Sequence, residues 1–224
     1  MPSISANALF HFTSSAQKLA SILANDFWPN YHHEKIYLRA DADYELFIPM
    51  VSFCDIPLSQ ISQHIERYGH YGLGMSKEWG IRNGLNPVLY LNADSILAND
   101  LHAALKATFL KEGVDALLNS QRCIKEYKDA DTCYYNEREW MYVAPEKILQ
   151  HPPSEEGLAA LNQKVRFRSL SFEPQDIRYV VTKNREDIPN LIQDIFRLKS
   201  NRSQDEKLLV ISKIISCEDI TEDF

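Results

Sequence analysis

The chain has 224 residues, of which 45% are hydrophobic and 11% aromatic, so it can bury a full core and is not a disordered chain. Its 31 acidic and 24 basic residues give a formal net charge of −7. This balance argues against non-specific binding to DNA or RNA, and the seven glycines form no G-x-G-x-x-G or phosphate-loop motif.

The N-terminal part of the sequence predicts alternating strands and helices. A short apolar strand at 9–13 is followed by a helix whose capping box is Ser14-x-x-Gln17. Residues 27–43 lack periodicity and predict an irregular loop. A second strand is expected at 46–53 and a short helix at 58–67.

The glycine-rich stretch 68–80 opens the middle of the chain. It predicts a strand at 71–75, with Ser76 as the N-cap of a helical turn. The elements expected after it are a strand at 88–92, helices at 94–111 and 114–127, a strand at 136–143, a linker at 150–157, strands at 165–172 and 177–182, a helix at 188–199 and a strand at 208–215.

These elements predict an α+β protein with a single domain over 1–224 and a split mixed β-sheet core. Residues 158–224 are expected to complete that core. The sequence has no segment of 18 consecutive apolar residues and no signal-peptide pattern, which predicts a cytoplasmic protein with no membrane contact. Four cysteines without C-x-x-C spacing, and histidine groups without metal-ligand spacing, predict no metal site.

Two carboxylates two residues apart are the strongest chemical feature of the sequence. On a strand, Glu137 and Glu139 would project from one face, with Trp140 on the other. Such a pair is typical of a cleft where a carboxylate stabilises a positively charged, oxocarbenium-like sugar. The alternative is an exposed edge strand with solvated charges.

Two weaker features accompany that pair. His11 and Thr13 share one face of the first strand, where they could hydrogen-bond ribose hydroxyls or an amide. A histidine in the core is the commoner alternative. The glycine-rich stretch offers aromatic rings and close backbone approach, or it is simply a strand flanked by turns.

The order of these motifs resembles the ADP-ribosyltransferase fold family. That resemblance implies a His-x-Thr strand gripping NAD, matched by His11 and Thr13, and a stacking aromatic matched by Tyr71. It also implies a catalytic glutamate matched by Glu139, with Glu137 as the additional glutamate. The second motif differs, because Val51-Ser52-Phe53 replaces Ser-Thr-Ser and leaves the target residue type open.

A closer resemblance covers residues 9–143. The runs Val51–Pro57, Tyr71–Ile81 and Asn136–Trp140 are similar to those of the bacterial AbiGi family of abortive-infection proteins. That resemblance implies a role in phage defence, with an antitoxin label and a possible cognate toxin as partner. It implies no reaction.

The sequence therefore supports two hypotheses. In the first, the chain uses NAD as a substrate, without a metal, in ADP-ribosyl transfer. The predicted residues are Glu139 and Glu137 for catalysis and His11, Thr13, Ser52, Tyr71, Gly72, Ser76 and Trp79 for NAD binding. In the second, the chain is a non-enzymatic antitoxin that binds a toxin or its operator; the net charge and the lack of a helix-turn-helix signature weigh against the operator.

Overall fold

The computed structural model describes residues 6–39, 42–108, 122–128, 131–149, 151–197 and 202–223. It confirms the α+β class. The chain divides into two compact units that are each assembled from separate segments. Unit 1 comprises residues 1–28, 52–84 and 169–224, and unit 2 comprises residues 29–51 and 85–168.

The strands are β1 (Ala8–Thr13), β2 (Asn30–Arg39), β3 (Ala42–Cys54), β4 (Tyr71–Ser76), β5 (Asn86–Pro87), β6 (Leu89–Leu91), β7 (Ile124–Glu126), β8 (Glu139–Val143), β9 (Ile177–Thr182) and β10 (Ile214–Ser216). The helices are α1 (Ala16–Asn25), α2 (Ser62–Tyr68), α3 (Lys77–Arg82), α4 (Ile96–Thr108), α5 (Glu155–Val165), α6 (Ile188–Arg197), α7 (Gln204–Ile211) and α8 (Cys217–Asp223). In the described residues, no helix is both long and apolar enough to cross a membrane.

Unit 1 contains a mixed sheet with strand order β10-β9-β4-β1, followed by the last residues of β3. β9 and β10 run parallel, whereas β4 is antiparallel to both β1 and β9. Because side chains alternate along β1, Phe10 and Phe12 pack into one core cluster, and His11 and Thr13 face the opposite side. The prediction of a strand bearing His11 and Thr13 on one face is confirmed.

Helix α1 shows how the local sequence sets an element boundary. Its N-cap is Ser15, whose hydroxyl accepts a hydrogen bond from the Lys18 amide at 3.3 Å. The predicted capping box at Ser14 and Gln17 is therefore wrong by one residue. The amphipathic helix buries Leu19 and Leu23 in unit 1.

Unit 2 holds the antiparallel pair β2–β3 and, beside β3, the antiparallel pair β8–β5. β6 and β7 form a separate parallel pair. Its core contains apolar side chains from several of these strands: Leu46, Ile48, Met50, Val88, Leu91, Ile124, Met141 and Ile148. The predicted loop over 27–43 is wrong, because β2 pairs with β3 from Asn30 opposite Met50 to Arg39 opposite Ala42.

Other predicted elements also differ from the structure. The linker expected at 150–157 overlaps helix α5, which begins at Glu155. The strand expected at 165–172 is a 3-10 turn, Arg166–Arg168, followed by an isolated bridge at Leu170. The strand expected at 208–215 is mostly helix α7, which Ser203 and Glu206 begin with a reciprocal capping box. Residues 114–121 of the helix expected at 114–127 lie outside the described residues, and Ile124–Glu126 is strand β7.

Candidate functional site

His11 lies in an aromatic environment in unit 1. Its Nδ1 contacts the backbone carbonyl oxygen of Ser52 at 2.8 Å, so this nitrogen carries the proton and donates it. Its ring centroid lies 5.4 Å from that of Phe27 and 5.5 Å from that of Phe53. The ring is therefore held in one orientation by packing and by one hydrogen bond, while the Ser52 side chain takes no part in that bond.

Trp79 packs within the same aromatic cluster. Its side chain is fully buried, at 0% exposure, between Phe27 and Phe53. The indole N–H donates to the carbonyl oxygen of Ser171 at 2.9 Å. In this conformation Trp79 offers no surface to a ligand, and its predicted place beside a nicotinamide stays a prediction that the core packing does not favour.

Tyr71 and Thr13 are brought together by strand register. Thr13 lies directly opposite Tyr71 in the antiparallel β1–β4 pair, so the two side chains share a face with His11. The Tyr71 hydroxyl donates to Asp187 Oδ2 at 2.9 Å. Burial and the Asp187 carboxylate raise the pKa of Tyr71 to about 12. The structure thus places three of the predicted NAD-binding residues on one face of unit 1.

Gly72 and Ser76 belong to β4 and contact residues of β1 and α3. A Cβ at Gly72 would lie 2.8 Å from the His11 carbonyl oxygen and 2.8 Å from the Phe12 ring, so the glycine makes room for sheet packing. Ser76 is buried and accepts a hydrogen bond from the Trp79 amide as the N-cap of α3, which confirms the predicted cap.

The two glutamates of the E-x-E motif are not on one strand. Glu137 ends a 3-10 turn, and β8 begins at Glu139. Arg138 between them adopts a left-handed conformation with φ 45°, which breaks the two-residue alternation. The predicted paired projection is therefore wrong. Trp140 is half-buried, whereas Glu139 is buried.

Glu139 instead belongs to a charge cluster inside unit 2, which we call the Lys125 cluster: Glu34, Lys125 and Glu139. Lys125 Nζ lies 2.8 Å from Glu139 Oε2 and 3.1 Å from Glu34 Oε2. The side chains are 18% exposed for Lys125, 20% for Glu34 and 9% for Glu139. One ammonium group thus holds two carboxylates in a largely dry setting.

The backbone explains why these side chains meet. Glu34 comes from β2, Lys125 from β7 and Glu139 from the first position of β8, on the same face as the core residue Met141. The Glu139 amide donates to the Tyr90 hydroxyl at 2.9 Å, which fixes the start of β8. The buried strand face thus carries an acidic group at its end.

The electrostatics of the cluster follow from burial and from mutual charge. Burial lowers the pKa of Lys125, but the carboxylates of Glu139 and Glu34 outweigh it and raise the pKa overall. Burial raises the pKa of Glu34, with Glu139 adding to this and Lys125 opposing it. At neutral pH the lysine is therefore charged, and Glu34 binds a proton more readily than an exposed glutamate does.

Two further groups border the cluster. The surrounding protein removes water from His32 and, together with the charge of Lys125, lowers its pKa, while Glu139 opposes that change. Burial is the main cause of the raised pKa of Tyr90. His32 shares a face of β2 with Glu34, two residues on.

Sequence reasoning missed Glu34, Tyr90 and Lys125 as partners of Glu139. It places Glu34 in an irregular loop at 27–43 and Lys125 in a helix at 114–127. The signal that could have found Glu34 was the alternation from His32 to Glu34, had residues 30–39 been recognised as a strand. In the part of the chain that the structure describes, no group of three or more His, Cys, Asp or Glu side chains could hold a metal ion.

His11 and Tyr71 lie in unit 1, and Glu139 lies in unit 2. A common cleft for the three therefore stays a prediction.

Comparisons with known proteins identify the family. Residues 25–183 match the family model described as "Putative abortive phage resistance protein AbiGi, antitoxin". The chain is also 28% identical to the abortive phage resistance protein AbiGi of Lactococcus lactis subsp. cremoris, over 88% of this chain and 99% of that protein. No solved structure matches significantly. Since the family model covers well over half of the sequence, the chain belongs to the AbiGi family of abortive phage resistance proteins.

Proposed function

We propose that this protein acts in phage defence as a non-enzymatic antitoxin that binds a cognate toxin protein. The family description names both abortive phage resistance and an antitoxin. The observation that carries the non-enzymatic part is the ion pair between Lys125 Nζ and Glu139 Oε2, at 2.8 Å. A cytoplasmic location and the lack of non-specific nucleic-acid binding are parts of the same proposal.

The reason is electrostatic. Cleavage of NAD at the ribose develops positive charge on the sugar, and a catalytic carboxylate stabilises that charge. Here an ammonium group already lies against the carboxylate. Two positive charges 4 Å apart repel by about 4 kcal/mol at an effective dielectric constant of ~20. Lys125 would therefore oppose the transition state that Glu139 was predicted to stabilise.

The position of Glu137 supports the same conclusion. The resemblance to transferases implies that Glu137 is an additional glutamate on the strand face of Glu139. The left-handed Arg138 separates Glu137 from β8, so the second carboxylate has no fixed relation to Glu139 along a strand. A binding protein that keeps these residues for folding needs no such pair.

The test uses a toxin defined by its effect: a protein whose expression alone arrests growth and whose arrest this chain relieves. We expect the purified full-length chain and that toxin to elute as one complex of defined mass in size-exclusion chromatography with light scattering. Glu139→Gln should keep both the complex and the growth rescue. Rescue without a complex, or rescue that is lost in a folded Glu139→Gln protein, would contradict the proposal.

A second candidate is NAD-dependent ADP-ribosyl transfer, and one observation favours it. His11, Thr13 and Tyr71 lie on one face of the β1–β4 pair, as the His-x-Thr resemblance requires. If this candidate is right, millimolar NAD should raise the melting temperature, and His11→Ala should abolish the rise. Glu139→Gln should stop nicotinamide release, and Glu137→Gln should reduce transfer more than hydrolysis.

A further inference from the structure

A polar cleft in unit 1 lies beside Tyr71 and includes the Tyr71–Asp187 hydrogen bond and the N-terminal cap of α1. Its volume is about 490 Å³, within the usual ~300–1,000 Å³ of small-molecule sites. β4 contributes Tyr71, β9 contributes Thr182, the start of α1 contributes Ser14 to Gln17, and α6 contributes Asn190. We call it the Asp187 cleft.

Asp187 is the residue of this cleft best placed to bind a ligand. Hydrogen bonds hold its position, and its carboxylate can still accept further hydrogen bonds. The Asp187 amide donates to the Asn184 side chain at 3.0 Å, and Oδ2 accepts from the Tyr71 hydroxyl at 2.9 Å. A carboxylate has about four lone-pair sites, and one tyrosine hydroxyl uses one of them. Within the described residues, no lysine or arginine forms an ion pair with Asp187.

The remaining lining is dominated by neutral hydrogen-bonding groups. Gln17 and Asn190 supply amides that both donate and accept, and Ser14 and Ser15 supply hydroxyls. The charged lining residues are Asp187, Asp194 and Arg197, and the Arg197 side chain is 73% exposed beside Asp194. Two carboxylates against one exposed guanidinium do not select an anionic ligand.

We propose that the Asp187 cleft binds a ligand that carries two adjacent hydroxyl groups. A fixed carboxylate accepts hydrogen bonds from two neighbouring hydroxyls, amide side chains can complete their pairing, and the Tyr71 ring and Leu191 give apolar surface to the C–H face of a sugar. A free sugar and the ribose of a nucleoside share this chemistry. The inference concerns residues of unit 1 and is independent of toxin binding.

Three probes separate the two sources. Binding to ¹⁵N-labelled full-length protein is followed through the amide signals of Tyr71, Asp187 and Asn190 during titration with adenosine, 2′-deoxyadenosine and D-ribose. We expect adenosine or ribose to shift these signals. If the ligand is a nucleoside, 2′-deoxyadenosine should bind about tenfold more weakly than adenosine, because one hydroxyl of the pair is missing.

Substitutions test whether the ligand binds to Asp187. Asp187→Asn should weaken binding by about tenfold or more, since an amide accepts fewer and weaker hydrogen bonds than a carboxylate. Tyr71→Phe keeps the ring and should weaken it less. Asp176→Asn, which removes a carboxylate paired with Arg82 outside the cleft, is the matched control and should bind as the wild type does. Circular dichroism confirms that each variant is folded.

The outcomes decide the proposal. Shifts with ribose alone identify a free sugar, and shifts with adenosine that weaken in 2′-deoxyadenosine identify a ribonucleoside. No shift with adenosine or ribose at millimolar concentration, or equal binding by folded Asp187→Asn, would overturn it.

Discussion

The surroundings of His11 in unit 1 and of Glu139 in unit 2 are stabilised in different ways, by aromatic packing in the first and by ion pairs in the second. Around His11, the rings of Phe27 and Phe53 pack against the partly buried imidazole, and a hydrogen bond to a backbone carbonyl orients it. Around Glu139, a half-buried ammonium group compensates the charges of two carboxylates. Both residues are predicted parts of one NAD site, and each has structural partners inside its own unit. A chemically suggestive residue can therefore owe its environment to folding.

A substitution in the aromatic cluster of unit 1 should cause the largest loss of stability. Trp79→Ala removes a fully buried ring and should lower the free energy of unfolding by about 3–5 kcal/mol. The measurement is urea denaturation followed by circular dichroism. Trp140→Ala, at a half-buried position of β8, is the control and should cost clearly less. Equal losses would show that the His11 region is not a rigid core.

Removing the ammonium group of Lys125 should lower the stability of the protein. Lys125→Met leaves Glu34 and Glu139 without their shared partner and should cost about 2–3 kcal/mol at pH 7, less than a fully buried pair because Lys125 keeps some exposure. Since protonation neutralises the carboxylates, the loss should shrink as the pH falls.

Adding Glu34→Gln and Glu139→Gln to Lys125→Met is the control for charge. The triple variant removes the uncompensated charges, so it should regain part of the lost stability at pH 7. Chemical denaturation at pH 5 and pH 7 measures both variants. A loss that is the same at both values would contradict a charge-based role for Lys125.

The smallest effect should come from Glu34 and depend on pH. Its pKa is raised above 4.5 in the folded chain, mainly by burial, so the folded protein binds this proton more tightly than the unfolded chain does. That contribution to stability is complete below pH 4.5 and is lost as the pH rises through the folded pKa. Glu34→Gln cannot titrate.

We therefore expect Glu34→Gln to gain stability relative to the wild type as the pH rises above 4.5. The measurement is the pH dependence of the unfolding midpoint of both proteins. Parallel curves would mean that Glu34 is not desolvated, and the opposite slope would mean that Lys125 lowers its pKa below the ordinary value.

The sequence predicted the elements with strong local signals. β1, β4, β9 and α6 have clear apolar alternation or periodicity, and Ser76 is a capping residue whose role needs only its neighbours. Helix α7 was missed because the apolar run at 208–211 resembles a strand, although Ser203 and Glu206 carried the capping box.

The candidate site was harder to predict because its contacts are remote in sequence. Nothing local indicates that Glu34, Lys125 and Glu139 meet, since β2, β7 and β8 are brought together only by folding. An arginine gives no sequence signal for a left-handed backbone conformation, so the conformation of Arg138 could not be predicted. That conformation places Glu137 outside strand β8. By contrast, the shared face of His11, Thr13 and Tyr71 follows from strand alternation together with the β1–β4 register.

We propose that the Glu139 carboxylate forms an ion pair with Lys125 and does not stabilise the positive charge of a sugar. Nicotinamide release from NAD by the purified full-length protein tests it most directly, with Glu139→Gln measured beside the wild type. We expect the wild type and Glu139→Gln to release nicotinamide at the same rate as a blank without protein. Release by the wild type that disappears in a folded Glu139→Gln protein would contradict it.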